Sequence, residues 1–195
     1  MPHRRFSQAI SEGDGISVIA AVEDGDAAQA AQAEHAEALV VTGDPDLVRA
    51  ATELPILWRA NVTVEQAAEV ADACLIVFEH HDDDDGRLEE VHRRALELGL
   101  DCVVDVRNEE ELEQALERVD PEIFLLSPRA AESDQPPLEC VLELLPDVPA
   151  GKLAIADLPR TRHEDITELE RAGVDAVIVH FRDVAGLVGG PPPAV

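Results

Sequence analysis

The stretch Leu169-Glu-Arg-Ala-Gly-Val-Asp-Ala-Val-Ile-Val179 contains a whole structural transition in eleven residues. A helix-period segment ends at Ala172, Gly173 suits the left-handed C-cap, and Ala176-Val-Ile-Val179 is a continuous apolar run. Strands that alternate apolar and polar residues bury one face; a continuous run is buried on both, as in a parallel sheet covered by helices. Leu98-Gly-Leu-Asp-Cys-Val-Val-Asp-Val-Arg107 repeats the same grammar, with Gly99 in the capping place.

Working outward, eight such runs are found: Ile16–Val22, Ala38–Thr42, Pro55–Trp58, Ala73–Phe78, Asp101–Val106, Glu122–Leu126, Lys152–Asp157 and Asp175–Val179. Segments of helical period, apolar on one face, lie between them at 26–37, 44–53, 63–72, 86–98, 108–118, 137–145 and 163–172. Asp44-Pro45 reads as a helix start, and so does Thr63, with Gln66 three residues on as a capping-box partner. Strict alternation of strand and helix predicts βα units and a parallel sheet. Eight units in this length give about 24 residues each, which predicts a single compact (β/α)8 barrel over residues 1–188 with a short leading helix. A doubly wound open sheet is the competing architecture. No GxGxxG follows the first strand, where the glycines are Gly13, Gly15 and Gly25. Residues 189–195, with three consecutive prolines, read as a tail, and Asp82–Asp85 as a solvated acidic turn.

The 195 residues carry 15 Lys+Arg against 42 Asp+Glu, a formal net charge of −27. A surface this negative repels phosphate backbones and anionic headgroups, so neither nucleic acid nor a membrane surface is an expected partner. Hydrophobic residues make up 46 % of the chain, enough to build a core. The one lysine, Lys152, within an acidic surplus fits a protein adapted to high salt. Cys74, Cys102 and Cys140 lack CxxC spacing, which argues against a disulfide scaffold or zinc site and fits a reducing interior. With no run approaching the roughly 18 apolar residues of a membrane span, a cytoplasmic protein is expected.

Several words of the chain together resemble one family. Phe6-Ser-Gln-Ala-Ile10 and Ile16-Ser-Val-Ile-Ala20 are similar to the leading helix and first strand of indole-3-glycerol phosphate synthase. Leu54-Pro-Ile-Leu-Trp-Arg-Ala-Asn61 resembles that family's third strand, usually L-P-V-L-R-K-D-F. Leu98–Arg107 followed by Asn108-Glu-Glu-Glu-Leu-Glu113 resembles L-G-L-x-x-L-V-E-V-H then D-E-x-E-L-E, and Leu169–Val179 resembles the last helix and strand. The resemblance implies a barrel enzyme of tryptophan biosynthesis, a carboxy-lyase that closes the indole ring of carboxyphenylamino-deoxyribulose phosphate. That reaction needs an acid to activate a carbonyl, a partner carboxylate for proton transfer and a phosphate nest.

Position by position, this chain departs from the family pattern. Ala21-Val-Glu23 stands where the family has E-I-K, so one carboxylate is absent and one cation has become Glu23. The third-strand lysine falls on Arg59, which stabilises an oxyanion but is a poor proton donor. The fifth-strand glutamate falls on Asp105, and N-x-R falls on Ser127-Pro128-Arg129. E-S-G becomes Asp157-Leu158-Pro159, and His180-Phe181 replaces a G-S pair, so glycine turns suited to phosphate are filled. The lids after the first two strands shrink to Asp24-Gly25-Asp26 and Gly43-Asp44-Pro45.

The expected site is the ring of C-terminal strand ends: Glu23, Arg59, Glu79, His80, Asp105, Arg107, Arg129, Asp157, Arg160 and His180. By resemblance, Arg59 and Asp105 are the candidate catalytic pair, while Glu23, Ser127, Arg129, Asp157 and His180 are candidate substrate-binding residues. Arg59 with Asp105, and Arg129 with Asp157, read either as remnants of such a site or as ion pairs closing the barrel mouth. No cofactor is expected, and His80, His81 and His180 lack metal-site spacing. Cys74 and Cys102 read as small core residues, and Trp58 as either a cover for the mouth or core. Four arginines, Arg59, Arg107, Arg129 and Arg160, are expected at one rim, where they would suit a small anionic, sugar-phosphate-like ligand. Two functions follow from these readings: a diverged lyase, or a non-catalytic barrel that binds a metabolite or protein partner.

Overall fold

The computed structural model describes residues 5–13, 15–59, 63–78, 86–128 and 135–180. The strands are β1 (Ser17–Val22), β2 (Ala38–Val41), β3 (Ile56–Trp58), β4 (Ala73–Val77), β5 (Asp101–Val106), β6 (Ile123–Leu126), β7 (Leu153–Asp157) and β8 (Ala176–His180). They form one closed parallel barrel in sequence order, with β1 pairing β8. A short helix α1 (Phe6–Ser11) precedes the barrel. Helices α2 (Gly25–Ala33), α3 (Pro45–Arg49), α4 (Val64–Val70), α5 (Arg87–Glu97), α6 (Glu109–Arg118), α7 (Pro137–Leu144) and α8 (His163–Ala172) connect the strands. The protein is a (β/α)8 barrel.

The helix boundaries follow from side-chain chemistry. Asp24, Thr63 and Asn108 each accept a backbone N–H from the first turn of their helix, and Thr63 and Gln66 close a reciprocal capping box. Gly173 takes the left-handed C-cap at φ 96°. Two helices stop earlier than their periodicity predicts. The chain leaves α2 through His35 at φ 67°, with the N–H of Ala36 returning to the carbonyl of Ala31. After α3, Arg49 donates to the carbonyl of Leu54 and Thr52 donates to Gln32, which draws residues 50–55 into the approach to β3.

Alternate residues of each strand separate two cores. One parity, including Leu39, Ile76, Cys74, Cys102, Val104, Phe124 and Val177, packs outward against helix residues such as Leu88, Leu112, Val141 and Leu169. The other parity fills the lumen: Ile19, Val40, Leu57, Val103, Leu125, Ile155 and Ile178. The lowest lumen positions of β2, β4 and β8 are Ala38, Ala73 and Ala176, too small to fill the barrel base alone. Phe6 and Ile10 of α1 join that cluster, with Phe6 fully buried. α1 is tied down from both sides, since Ser7 N–H donates to Asp101 at 2.8 Å and Ser17 Oγ donates to the carbonyl of Ile10.

The acidic surplus falls mainly on the outer helices. On α6, Glu109 and Glu110 are exposed, whereas Glu111 is buried and bound to Arg107. The acidic turn Asp82–Asp85 and the tail 189–195 lie outside the described residues. Among the described residues no helix is long and apolar enough to cross a membrane.

Candidate functional site

Strand register determines which side chains meet at the C-terminal mouth. In an eight-stranded barrel each layer of lumen side chains comes from alternate strands. Register links Ala21 to Val40 and Val40 to Leu57, and Arg59 lies two residues further along β3's direction. The same two-residue step from β3 through β4 reaches Asp105, from β5 through β6 reaches Asp157, and from β7 through β8 returns to Ala21. The layer therefore closes on Ala21, Arg59, Asp105 and Asp157. Ser127 and His180 take the lumen parity of β6 and β8 just above it.

Within this layer β3 and β7 stand on opposite sides of the barrel, and their side chains cross it. Arg59 Nη1 donates to Asp157 Oδ2 at 2.5 Å, with the arginine side chain 34 % exposed and the aspartate 18 %. Arginine is long enough to span the lumen, and alanine at position 21 leaves it room. Asp105 has a different partner: it is buried, and Ser127 Oγ donates to its Oδ1. The Arg59–Asp105 coupling expected from the sequence is thus a shared layer, while the hydrogen bond of Arg59 goes to Asp157.

Burial pushes the Asp105 carboxyl above the ordinary carboxylate value; the Ser127 hydrogen bond and the Arg59 charge oppose this, and Asp157 and Glu111 add to it. Between the ordinary value and the raised one, the folded chain binds more of this proton than the unfolded chain does. The stability this group contributes is present below about pH 3.8 and is lost as pH rises through the raised folded value. Asp105→Asn keeps the shape without the ionisation. It is expected to raise the urea midpoint at pH 7 and to converge with the parent near pH 4. A variant less stable than the parent at pH 7 would refute the buried-carboxyl account.

The remaining candidates fall in different places. Glu23 and His180 are exposed at the mouth, and Arg160 is exposed on the turn after β7. Arg107 is taken up by α6, because its guanidinium and its backbone N–H both bind Glu111. Of the four arginines expected at one rim, Arg59 is engaged by Asp157 and Arg107 by Glu111, so a ring of free cations is not what these two build. Arg129, Glu79, His80, His81 and Phe181 lie outside the described residues. For the expected Arg129–Asp157 pair, the partner seen on Asp157 is Arg59. Trp58 has the outward parity and packs against the outer core, which decides between its two readings. Among the described residues no three His, Cys, Asp or Glu side chains gather as a metal cage requires.

Two associations escaped the sequence reading. One is the Arg59–Asp157 bridge, which the two-residue step per pair of strands encodes once the register is known. The other is Cys74 beside Cys102: each is the second residue of its strand, and the two are register partners.

The family model for indole-3-glycerol phosphate synthase matches residues 46–180. The chain belongs to the indole-3-glycerol phosphate synthase family. Among curated members, the indole-3-glycerol phosphate synthase of Geobacillus sp. (strain WCH70) is 28 % identical over 137 residues, covering 68 % of this chain and 52 % of that protein. The Variovorax paradoxus (strain S110) synthase is 30 % identical over 136 residues, covering 67 % and 50 %. The chain thus spans about half the length of these curated relatives. Among solved structures, the N-acetylmannosamine-6-phosphate 2-epimerase from Clostridium perfringens superposes with a TM-score of 0.72 at 14 % identity, covering 96 % of this chain and 92 % of that one. At that identity the likeness is one of fold.

Proposed function

We propose that this member of the family binds a small anionic metabolite at its barrel mouth and does not carry out the ring closure for which the family is named. The observation that carries this reading is the cross-barrel bridge from Arg59 to Asp157. The family pattern places a lysine, which can surrender a proton, where this chain has a guanidinium that stays charged at any working pH. Asp157 holds that guanidinium in place, and Ala21 removes the carboxylate that stands on the first strand in the pattern. What remains is an oriented cation, partly open to solvent, with N–H donors beyond the one used by Asp157. A planar guanidinium edge suits a carboxylate or phosphate oxygen pair. Of the two, a carboxylate fits better: Pro159 offers no N–H, and Leu158 is buried in the turn where a phosphate nest would lie.

A second reading is favoured by Asp105. Burial raises the proton affinity of the Asp105 carboxyl, which favours general-acid chemistry beside a fixed cation, the minimal equipment for carbonyl activation. One experiment separates the two. Purified chain in high salt is incubated with carboxyphenylamino-deoxyribulose phosphate while indole absorbance is followed, and calorimetry is run with small carboxylates and sugar phosphates. The expected result is no turnover, with binding of a carboxylate that Arg59→Ala weakens by about 10–100-fold, the loss of a charge-assisted contact worth about 1.5–3 kcal/mol. Turnover that Asp105→Asn abolishes would establish the second reading and overturn the first.

A further inference from the structure

A pair of thiols lies on the outer face of the barrel wall, far from the mouth chemistry. Cys74 of β4 and Cys102 of β5 are direct register partners and point the same way into the outer core. Neighbouring strands run about 4.8 Å apart, inside the Cα separation of roughly 4.4–6.8 Å that a disulfide spans. Cys102 Sγ donates to the carbonyl of His92 at 3.7 Å. Both thiols are free. Although each residue is only 5 % exposed, a cavity of about 350 Å³ at the N-terminal end of the barrel reaches Cys102. Cys102 is part of its lining, together with Arg5, His92, Asp101, Asp120 and Ile123.

We propose that Cys74 and Cys102 form a reactive dithiol that small peroxides entering this cavity convert into an intrachain disulfide. Cys102 lines the cavity and meets the peroxide first. Its sulfur displaces one peroxide oxygen: the O–O bond breaks, a sulfenic acid forms, and the other oxygen leaves as water with the thiol proton. Cys74, its register partner, then attacks the oxidised sulfur, the S–S bond forms, the S–O bond breaks, and a second water leaves with the Cys74 proton. The two sulfurs together supply the two electrons that the peroxide accepts. A dithiol reductant reverses the change by exchange.

The fold supplies its own reporter. The single tryptophan, Trp58, is the register partner of Cys74 on the other side, so the three side chains form one row, Trp58, Cys74, Cys102. A disulfide in that row quenches its fluorescence. The test uses the full chain carrying Cys140→Ser, which removes the third thiol, titrated with hydrogen peroxide. Expected are the paired loss of both titratable thiols, a mass decrease of two hydrogens, a cross-linked peptide joining residues 74 and 102, and a fall in Trp58 emission that dithiothreitol restores. Cys74→Ala and Cys74→Ser, checked for folding by circular dichroism, should each lose the emission change and instead yield a sulfenic acid at Cys102 trapped by dimedone. Two thiols that persist in native protein with unchanged emission would overturn the proposal. So would oxidation to isolated sulfinic acids without a cross-link.

Discussion

Phe6→Ala is expected to destabilise the barrel by about 3–5 kcal/mol, the range for removing a fully buried phenylalanine. Phe6 is 0 % exposed and belongs to the lumen cluster, beneath the small residues Ala38, Ala73 and Ala176. Truncating it leaves a void that three alanines cannot close, and the strands cannot move inward because ladder hydrogen bonds hold the closed sheet. For a domain of this size each kcal/mol moves the melting temperature by roughly 2–4 °C, so the midpoint should fall by about 6–20 °C. Chemical denaturation measures the effect directly. Phe6→Leu, which keeps most of the volume, is expected to cost under about 2 kcal/mol. A loss below about 1 kcal/mol for the alanine variant would show that α1 does not seal the barrel base.

Arg107→Ala is expected to cost a comparable amount, about 3–5 kcal/mol, by a different route. The side chains of Arg107 and Glu111 are 9 % and 11 % exposed, and their charge-assisted bonds include Arg107 Nε to Glu111 Oε1 at 3.0 Å. Removing the cation strands a carboxylate in low-dielectric surroundings, where its remaining described partner is the backbone N–H of residue 107, 2.8 Å from Oε2. Replacing both partners with apolar residues of similar size, Arg107→Met with Glu111→Leu, removes the stranded charge and should recover most of the loss. A double-mutant cycle in urea gives the coupling energy. If the double variant is no more stable than Arg107→Ala alone, the cost lies in packing and not in the unpaired charge.

That ion pair also shows where reading by residue type reaches its end. Arg107 stands two places after Asp105, at the end of a strand, and strand parity sends both toward the mouth. The strand ends at Val106, however, and Glu111 four positions on lies on the first turn of α6, within reach of a side chain that turns outward. Glu109, Glu110 and Glu111 look alike in sequence, but only the third faces the barrel. The mouth shows the same limit. Arg59, Asp105 and Asp157 are each legible as lumen residues at strand ends, yet their partners are not. Residues on β3 and β7 are 98 positions apart, and the bond between them exists only because the barrel closes.

The sequence by itself determined the barrel: eight apolar runs buried on both faces, helices with one apolar side, caps at Asp44, Thr63, Gly99 and Gly173, and family words in unbroken order. These are local properties, carried by period and by residues a few positions apart, and each is visible without knowing where the chain goes. Tertiary structure alone decided the pairings that give the barrel its chemistry. Register brought Arg59 across the lumen to Asp157, placed Ser127 on Asp105, turned Arg107 to Glu111 and set Cys74 against Cys102. The physical reason is that a side chain's partner depends on the shear and closure of the whole sheet, a quantity no window of the chain contains.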